Sequence, residues 1–336
     1  MFKKISIYAY NLGVSNSPWT NVYGFARTLL ALSLLLTLSL NDAKILFRPA
    51  SGITEFPSCT NNISIFCIVP NDYLYLNIVK WVCVCLLILV ASGWRPQITG
   101  IIHWYIAYSL QVSAMTIDGG EQVNAVLSLL LLPITLTDSR KWHWQAPIQK
   151  EIKSDKEIVK RIIAIVTFFV IRFQIAILYL HSTVAKVFNT EWIDGTAVYY
   201  YLADPMLGLP PLLYNLVQPI LSSPFVVFAT WGTLVLQICL FGALFVPEKH
   251  WNKFLIIALV FHESIAVMLG LISFSITMCG ALILYLRPLD QEFKLLKKQN
   301  LTHSKNEPLN FNTMDKKSAV NESADIDRSV YTCRKI

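Results

Sequence analysis

Charge is scarce in this chain. Asp, Glu, Lys and Arg make up 15% of its 336 residues, where a soluble globular domain carries about 25%. Apolar residues make up 54%. They come in continuous blocks, not at the spacing of one helix face. This excludes an ordinary soluble domain and fits a polytopic membrane protein. Familiar catalytic motifs are missing as well. There is no G-x-S-x-G, no P-loop and no Rossmann fingerprint, so nothing points to nucleotide chemistry. No C-x-x-C spacing occurs among the seven cysteines. Cys83 and Cys85 lie two apart in an apolar stretch and would face different sides of a helix, which argues against a metal pair. His262-Glu263 opens an H-E-x-x-H pattern, but Ala266 stands where the second histidine would fall. No metal site of that kind is expected. No internal repeat is visible.

What is present has a clear layout. Apolar blocks run near residues 24–40, 74–93, 98–117, 123–137, 160–181, 224–246, 254–270 and 272–287. They predict an all-α polytopic membrane protein with about eight membrane helices or hairpins. Pro133 interrupts the fourth block. The last two blocks have almost no loop between them, so they form a hairpin turning at Gly270 or a re-entrant element. The first long apolar run starts near Gly24 with no small-residue cleavage site after it, and reads as a retained helix.

The net charge of +7 forms no stripe suited to nucleic acid. The basic residues fill gaps between blocks, where they set topology. One set of gaps holds Lys3, Lys4, Arg95, Arg140, Lys141, Lys150, Lys153, Lys156, Lys160, Arg161, Lys249 and Lys253. The other holds Lys44, Arg48 and Lys186. This places both termini in the cytoplasm, in a multi-pass protein of the cell membrane. It also places Cys59 and Cys67 in one outer loop, as a candidate disulfide. A second outer segment, 182–223, contains "DPMLGLPPLLYNLVQP". It is too apolar for a free loop and is expected on the membrane surface or folded back into the bundle. After Pro288 the composition turns polar. Residues 1–290 read as a transmembrane bundle and 291–336 as a disordered cytoplasmic tail.

Ionisable residues inside apolar blocks are functional candidates by default. Arg27, near the cytoplasmic edge, is expected to snorkel. Arg172 and Gln174 lie midway along the fifth block and need partners in the bundle. His181 and Lys186 follow. On a continuous helix they are five residues apart, about 140° around the axis, and do not face the same groove. By spacing alone Lys186 reads as an interfacial anchor. Asp118 and Glu121, in "IDGGEQVN", either pair with Lys186 or Arg172 or form a solvated turn. His262 reads as a helix–helix hydrogen-bonding group.

Three stretches carry a resemblance. They are "RFQIAILYLHSTVAKVFNTEWIDGTAVYY", "DGGEQVNAVLSLLLLPITLTDSRKW" and "FHESIAVMLGLISFSITMCGALILYL". They resemble the signature stretches of HTTM-domain proteins, multi-helix membrane proteins related to vitamin K-dependent gamma-glutamyl carboxylase. The resemblance covers roughly residues 15–290. Its most specific part is the order Arg172-x-Gln174, Ala185-Lys186, then Trp192-x-Asp194-Gly195-Thr196-Ala197. The chain is also similar to sporulation-delaying membrane proteins of bacilli, which belong to cannibalism-toxin operons. That likeness implies a protein that matures a secreted peptide toxin, acting on the exported precursor with a small partner of the sporulation-delaying protein A kind. The carboxylase likeness puts Lys186 on a base position. Arg172, His181 and His262 would shape the site, with Gln174, Asp118, Glu121, Trp192 and Asp194 in support. It implies a quinone-like lipid as the cofactor class. This chain has Gln122-Val123 where the carboxylase has a functional histidine, which argues against vitamin K carboxylation itself. The alternative is a non-enzymatic scaffold or escort that presents the precursor to a separate protease.

Overall fold

The computed structural model describes residues 2–49, 56–59, 63–145, 154–205, 207–288 and 291–293. The expected tail from residue 294 onward lies outside the described residues, as do Lys150 and Lys153 of the basic gap. Among the described residues the regular structure is helical throughout. The α-helices are α1 (Phe2–Ser15), α2 (Asn21–Leu40), α3 (Ala43–Leu46), α4 (Tyr73–Ser92), α5 (Pro96–Ser113), α6 (Gly119–Leu130), α7 (Leu132–Thr137), α8 (Asp155–Val187), α9 (Thr190–Ile193), α10 (Ala197–Ala203), α11 (Pro211–Leu221), α12 (Val226–Gly242), α13 (Trp251–Leu269) and α14 (Ile272–Leu286).

Among the described residues, six segments are long and apolar enough to cross a membrane: Asn21–Leu40, Tyr73–Ser92, Gly119–Thr137, Asp155–Val187, Val226–Phe245 and Glu248–Leu269. The other two expected blocks are helices too, but differ in kind. The α5 helix carries His103 and Gln111 within its apolar run. The α14 helix has 15 residues, about 22 Å of rise, against the ~30 Å of a bilayer core. At Pro133 the fourth span breaks into α6 and α7, because proline removes one helical donor and crowds the preceding turn. The last two blocks form a hairpin. Gly270 ends α13 at φ 71°, a conformation suited to glycine, and α14 returns along α13.

At the end where α4 meets α5, the turn after Gly93 pairs with the loop after α7. The Arg95 amide donates to the Lys141 carbonyl (2.8 Å) and the His143 amide to the Gly93 carbonyl (3.0 Å). The His143 ring lies against Gly24 and Gly93, where an added Cβ would collide with it. Arg27 does not snorkel. It is 1% exposed. Its Nη2 donates to Thr99 Oγ1 at 2.6 Å, and its Nη1 lies 3.5 Å from His143 Nδ1. A guanidinium only donates, so Nδ1 accepts and Nε2 carries the proton. Nε2 then donates to Thr28 Oγ1 (3.2 Å), which itself donates to the Ala91 carbonyl (2.9 Å). This network needs a neutral imidazole. Burial, then the Arg27 and Arg140 charges, push the His143 pKa down to about 2. Beside it, Arg140 grips Asp138 through Nε (2.9 Å) and Nη2 (2.8 Å).

At the opposite end, Cys59 and Cys67 form a disulfide. Within the apolar segment 204–219, the residues from Pro211 on lie in α11. The α11 helix exposes Leu212, Leu216 and Ile220 on one face, four residues apart each, and buries Leu221 with Leu202 and Val226. Such a face suits a membrane surface.

Candidate functional site

A cleft of about 540 Å³ lies among α6, α8, α12, α13 and α14. Its position follows from how α6 begins. Asp118 caps the helix by accepting from the Gly120 amide (2.5 Å), and Glu121 accepts in return from the Asp118 amide (3.0 Å). This is a capping box, which satisfies two donors at the helix start. The other Glu121 oxygen accepts from Thr37 Oγ1 of α2 (2.7 Å). A Cβ on Gly120 would sit 2.9 Å from the Phe274 Cα, so only glycine lets α6 start this close to α14. Gln122 then faces the cleft. Asp118 and Glu121 are committed to building α6, and neither forms an ion pair with Lys186 or Arg172 among the described residues.

The long α8 helix supplies one wall with Gln174, Ile177, His181 and Ser182. The structure thus brings together Gln174, His181 and His262 of the expected site, along with Gln122. His262 is 3% exposed. Its Nε2 shares a hydrogen bond with Tyr179 Oη at 3.1 Å, and its Nδ1 is buried without a partner. Gln237 lines the same cleft from α12 and accepts from Thr183 Oγ1 at 3.4 Å.

Lys186 stands one turn beyond the cleft. Its Nζ donates to Ser182 Oγ (2.6 Å) and to the Ser182 carbonyl (3.3 Å), and lies 5.3 Å from the Trp192 ring centroid. Ser182 itself lines the cleft, so Lys186 touches the rim through it. Trp192 is buried. Asp194 accepts from the Thr196 amide (3.0 Å) and hydroxyl (2.6 Å), and Gly195 follows at φ 86°. These residues build the turn that holds Trp192 under the lysine.

Arg172 does not join them. It is 14 residues from Lys186, about 21 Å along the helix. Its Nη2 donates to the Arg287 carbonyl at 2.6 Å, and its guanidinium lies 4.6 Å from the Trp251 ring centroid. It ties α8 to the end of α14 and the start of α13. Sequence reasoning missed Tyr179 and Gln237. The signal for Gln237 was there, a lone amide inside "GTLVLQICLF". A tyrosine in an apolar span gives no such signal. It also missed Lys80, which is 4% exposed inside α4 and donates from Nζ to the Asn41 carbonyl at 2.9 Å.

The fold and cleft define a helical membrane protein with a polar-lined opening between its spans. The chain is 56% identical over 275 residues to the uncharacterized protein YitO of Bacillus subtilis (strain 168), covering 82% of this chain and 87% of that one. It is 38% identical over 282 residues to the sporulation-delaying protein SdpB of the same organism, covering 83% and 85%. The chain belongs to the SdpB family. No family model matches it, and no solved structure does.

Proposed function

We propose that this chain is a multi-pass protein of the cell membrane with about eight membrane helices, both termini cytoplasmic, 1–290 as the working bundle and 291–336 as a tail. It matures an exported peptide-toxin precursor together with a small partner of the sporulation-delaying protein A kind. The observation that carries this is the 38% identity to SdpB over 83% of the chain. The position of Lys186 over the rim of the cleft supports a part for that lysine as a base toward substrate held there. His181, His262 and Gln174 face the same space, while Arg172 supports the bundle below. The orientation draws on the loops: the end near Gly93 and His143 carries Arg95, Arg140 and Lys141, which suits a cytoplasmic face.

A quinone-like lipid is the cofactor class the wider HTTM resemblance implies. A quinone accepts at its two carbonyls and its hydroquinone donates from two hydroxyls, and the amides of Gln122, Gln174 and Gln237 would meet either form. Such a group would supply redox chemistry there. Mass spectrometry of lipids that copurify with the protein tests this directly.

The lysine role is tested in a toxin-producing strain with Lys186→Ala and Lys186→Arg. Secreted peptide of altered mass, or at least about tenfold less of it, is the expected result. Normal mass and potency from both variants removes the base role. A second reading, a scaffold that presents the precursor to a separate protease, is favoured by the engagement of Lys186 Nζ with Ser182. It expects Lys186→Ala to be tolerated and changes in 204–219 to abolish copurification with the precursor.

A further inference from the structure

We infer that the cleft takes an extended, apolar peptide segment sideways from the bilayer, between α6 and α8, and reads it through its backbone amides. This deepens the proposed maturation role by naming the chemistry of what the cleft holds.

The opening comes first. Val126 of α6 and Ile177 of α8 line the cleft and are 37% and 36% exposed. Both lie within apolar spans, so the gap between the helices faces hydrocarbon. The outer end of the cleft is polar, with Gln122, His181 and Ser182, and the side between α6 and α8 is aliphatic, which suits entry of an apolar segment from the bilayer.

The interior is not aliphatic. The side-chain amides of Gln122 and Gln174 make no hydrogen bond to protein among the described residues. Gln237 uses its carbonyl for Thr183 and keeps its NH2 free. His262 Nδ1 is buried and unpartnered. Unmet polar groups are costly in an apolar setting, so four of them on one cleft call for a ligand that meets them. A glutamine amide offers a donor pair and an acceptor in one plane, which is the complement of a peptide bond. An acyl chain would meet none of the four. A lipid headgroup phosphate would call for cations, and no Lys or Arg among the described residues lines the cleft. The length also fits. Gln174 and His181 lie seven residues apart on α8, about 10 Å along its axis, or about three residues of extended chain.

The test uses the full chain in lipid nanodiscs and a capped hexapeptide of valine and alanine with one photo-leucine. A second peptide has its two central amides N-methylated, which removes their donors and keeps the side chains. Light-driven labelling is mapped by mass spectrometry. The expected result is labelling within 122–127 and 174–182, about tenfold stronger for the unmethylated peptide, as loss of about one buried hydrogen bond implies. The pair Gln174→Leu and Gln237→Leu removes that preference. Val126→Trp with Ile177→Trp, which narrows the cleft, lowers labelling by both peptides. Equal labelling by the two peptides overturns the inference, as does displacement of the peptide by an equimolar photoactivatable quinone. Undiminished labelling in the narrowed variant overturns the sideways route. Because both peptides meet the same wild-type protein, a folding defect cannot produce the main result. No readout depends on toxin production. Normal toxin from Lys186→Ala would therefore overturn the base role and leave this inference standing, while equal labelling would do the reverse.

Discussion

On the α2 side of the bundle, Arg27 bonds Thr99 and reaches His143, Glu121 bonds Thr37, and Asn124 Nδ2 donates to the Leu30 carbonyl at 2.7 Å. On the cleft side, His262 keeps a bare Nδ1, and the amides of Gln122 and Gln174 reach no protein group. The packing differs in the same sense: 67% of the α2 span window is buried and 22% of the α13 window. Both regions place polar groups at membrane depth, where they are expensive. The α2 side also keeps buried atoms without a partner, among them Arg27 Nε, His103 Nε2 and Asn124 Oδ1, but its groups sit in closed packing. The unmet groups of the other region border an open cleft. The contrast separates polar residues packed into the fold from polar residues a ligand could reach, a distinction that hydropathy does not make.

The contrast breaks most sharply at Asp138 and Arg140. Both are buried, at 0% and 5% exposure. Arg140→Ala leaves the Asp138 carboxylate uncompensated, and removing one member of a buried pair costs about 3–5 kcal/mol. Thermal unfolding in detergent should show a drop of many degrees or no folded protein. A midpoint near that of the wild type would mean the pair does not hold the loop. Next comes Asn124→Leu, expected to cost about 1–3 kcal/mol, because it removes a buried hydrogen bond and its replacement meets a polar neighbour. The same scan reads it.

A smaller effect is pH-dependent. The folded pKa of His143 lies at about 2, and an unfolded histidine titrates near 6.5. The unfolded chain therefore binds more protons between these values, so stability rises with pH there. The His143 contribution is fully present above about pH 6.5 and falls away as the pH drops toward 2. Unfolding midpoints at about pH 7.5 and pH 5 should differ by a few degrees in the wild type and by less in His143→Gln. An identical drop in both would remove His143 as the cause. Smallest is Gln174→Leu on the cleft side, expected within about 0.5 kcal/mol of wild type, because no protein partner is lost. Its effect should appear in maturation instead, as less mature peptide at unchanged fold stability. A large stability loss would move Gln174 to the structural group.

Much of the bundle was legible in the chain. Apolar blocks, the Pro133 break, the Gly270 turn and the Cys59–Cys67 loop are local, and local chemistry reports them. Arg27 was misread because position in a span does not tell whether a neighbour supplies an acceptor. Thr99 and His143 are 72 and 116 residues away from it. Arg172 and Lys186 share a helix and a motif, yet one serves the inner packing and the other the rim, because a 33-residue helix spans about 50 Å.

The sequence by itself determined the class: helices, apolar spans, and a basic bias that separates one set of loops from the other. These depend on composition and period, which every residue reports in place. Only the tertiary structure decided which polar residues were satisfied. Gln122, Gln174, Gln237 and His262 come from four helices, and whether an amide in an apolar span finds a partner depends on what the neighbouring helix presents at that depth.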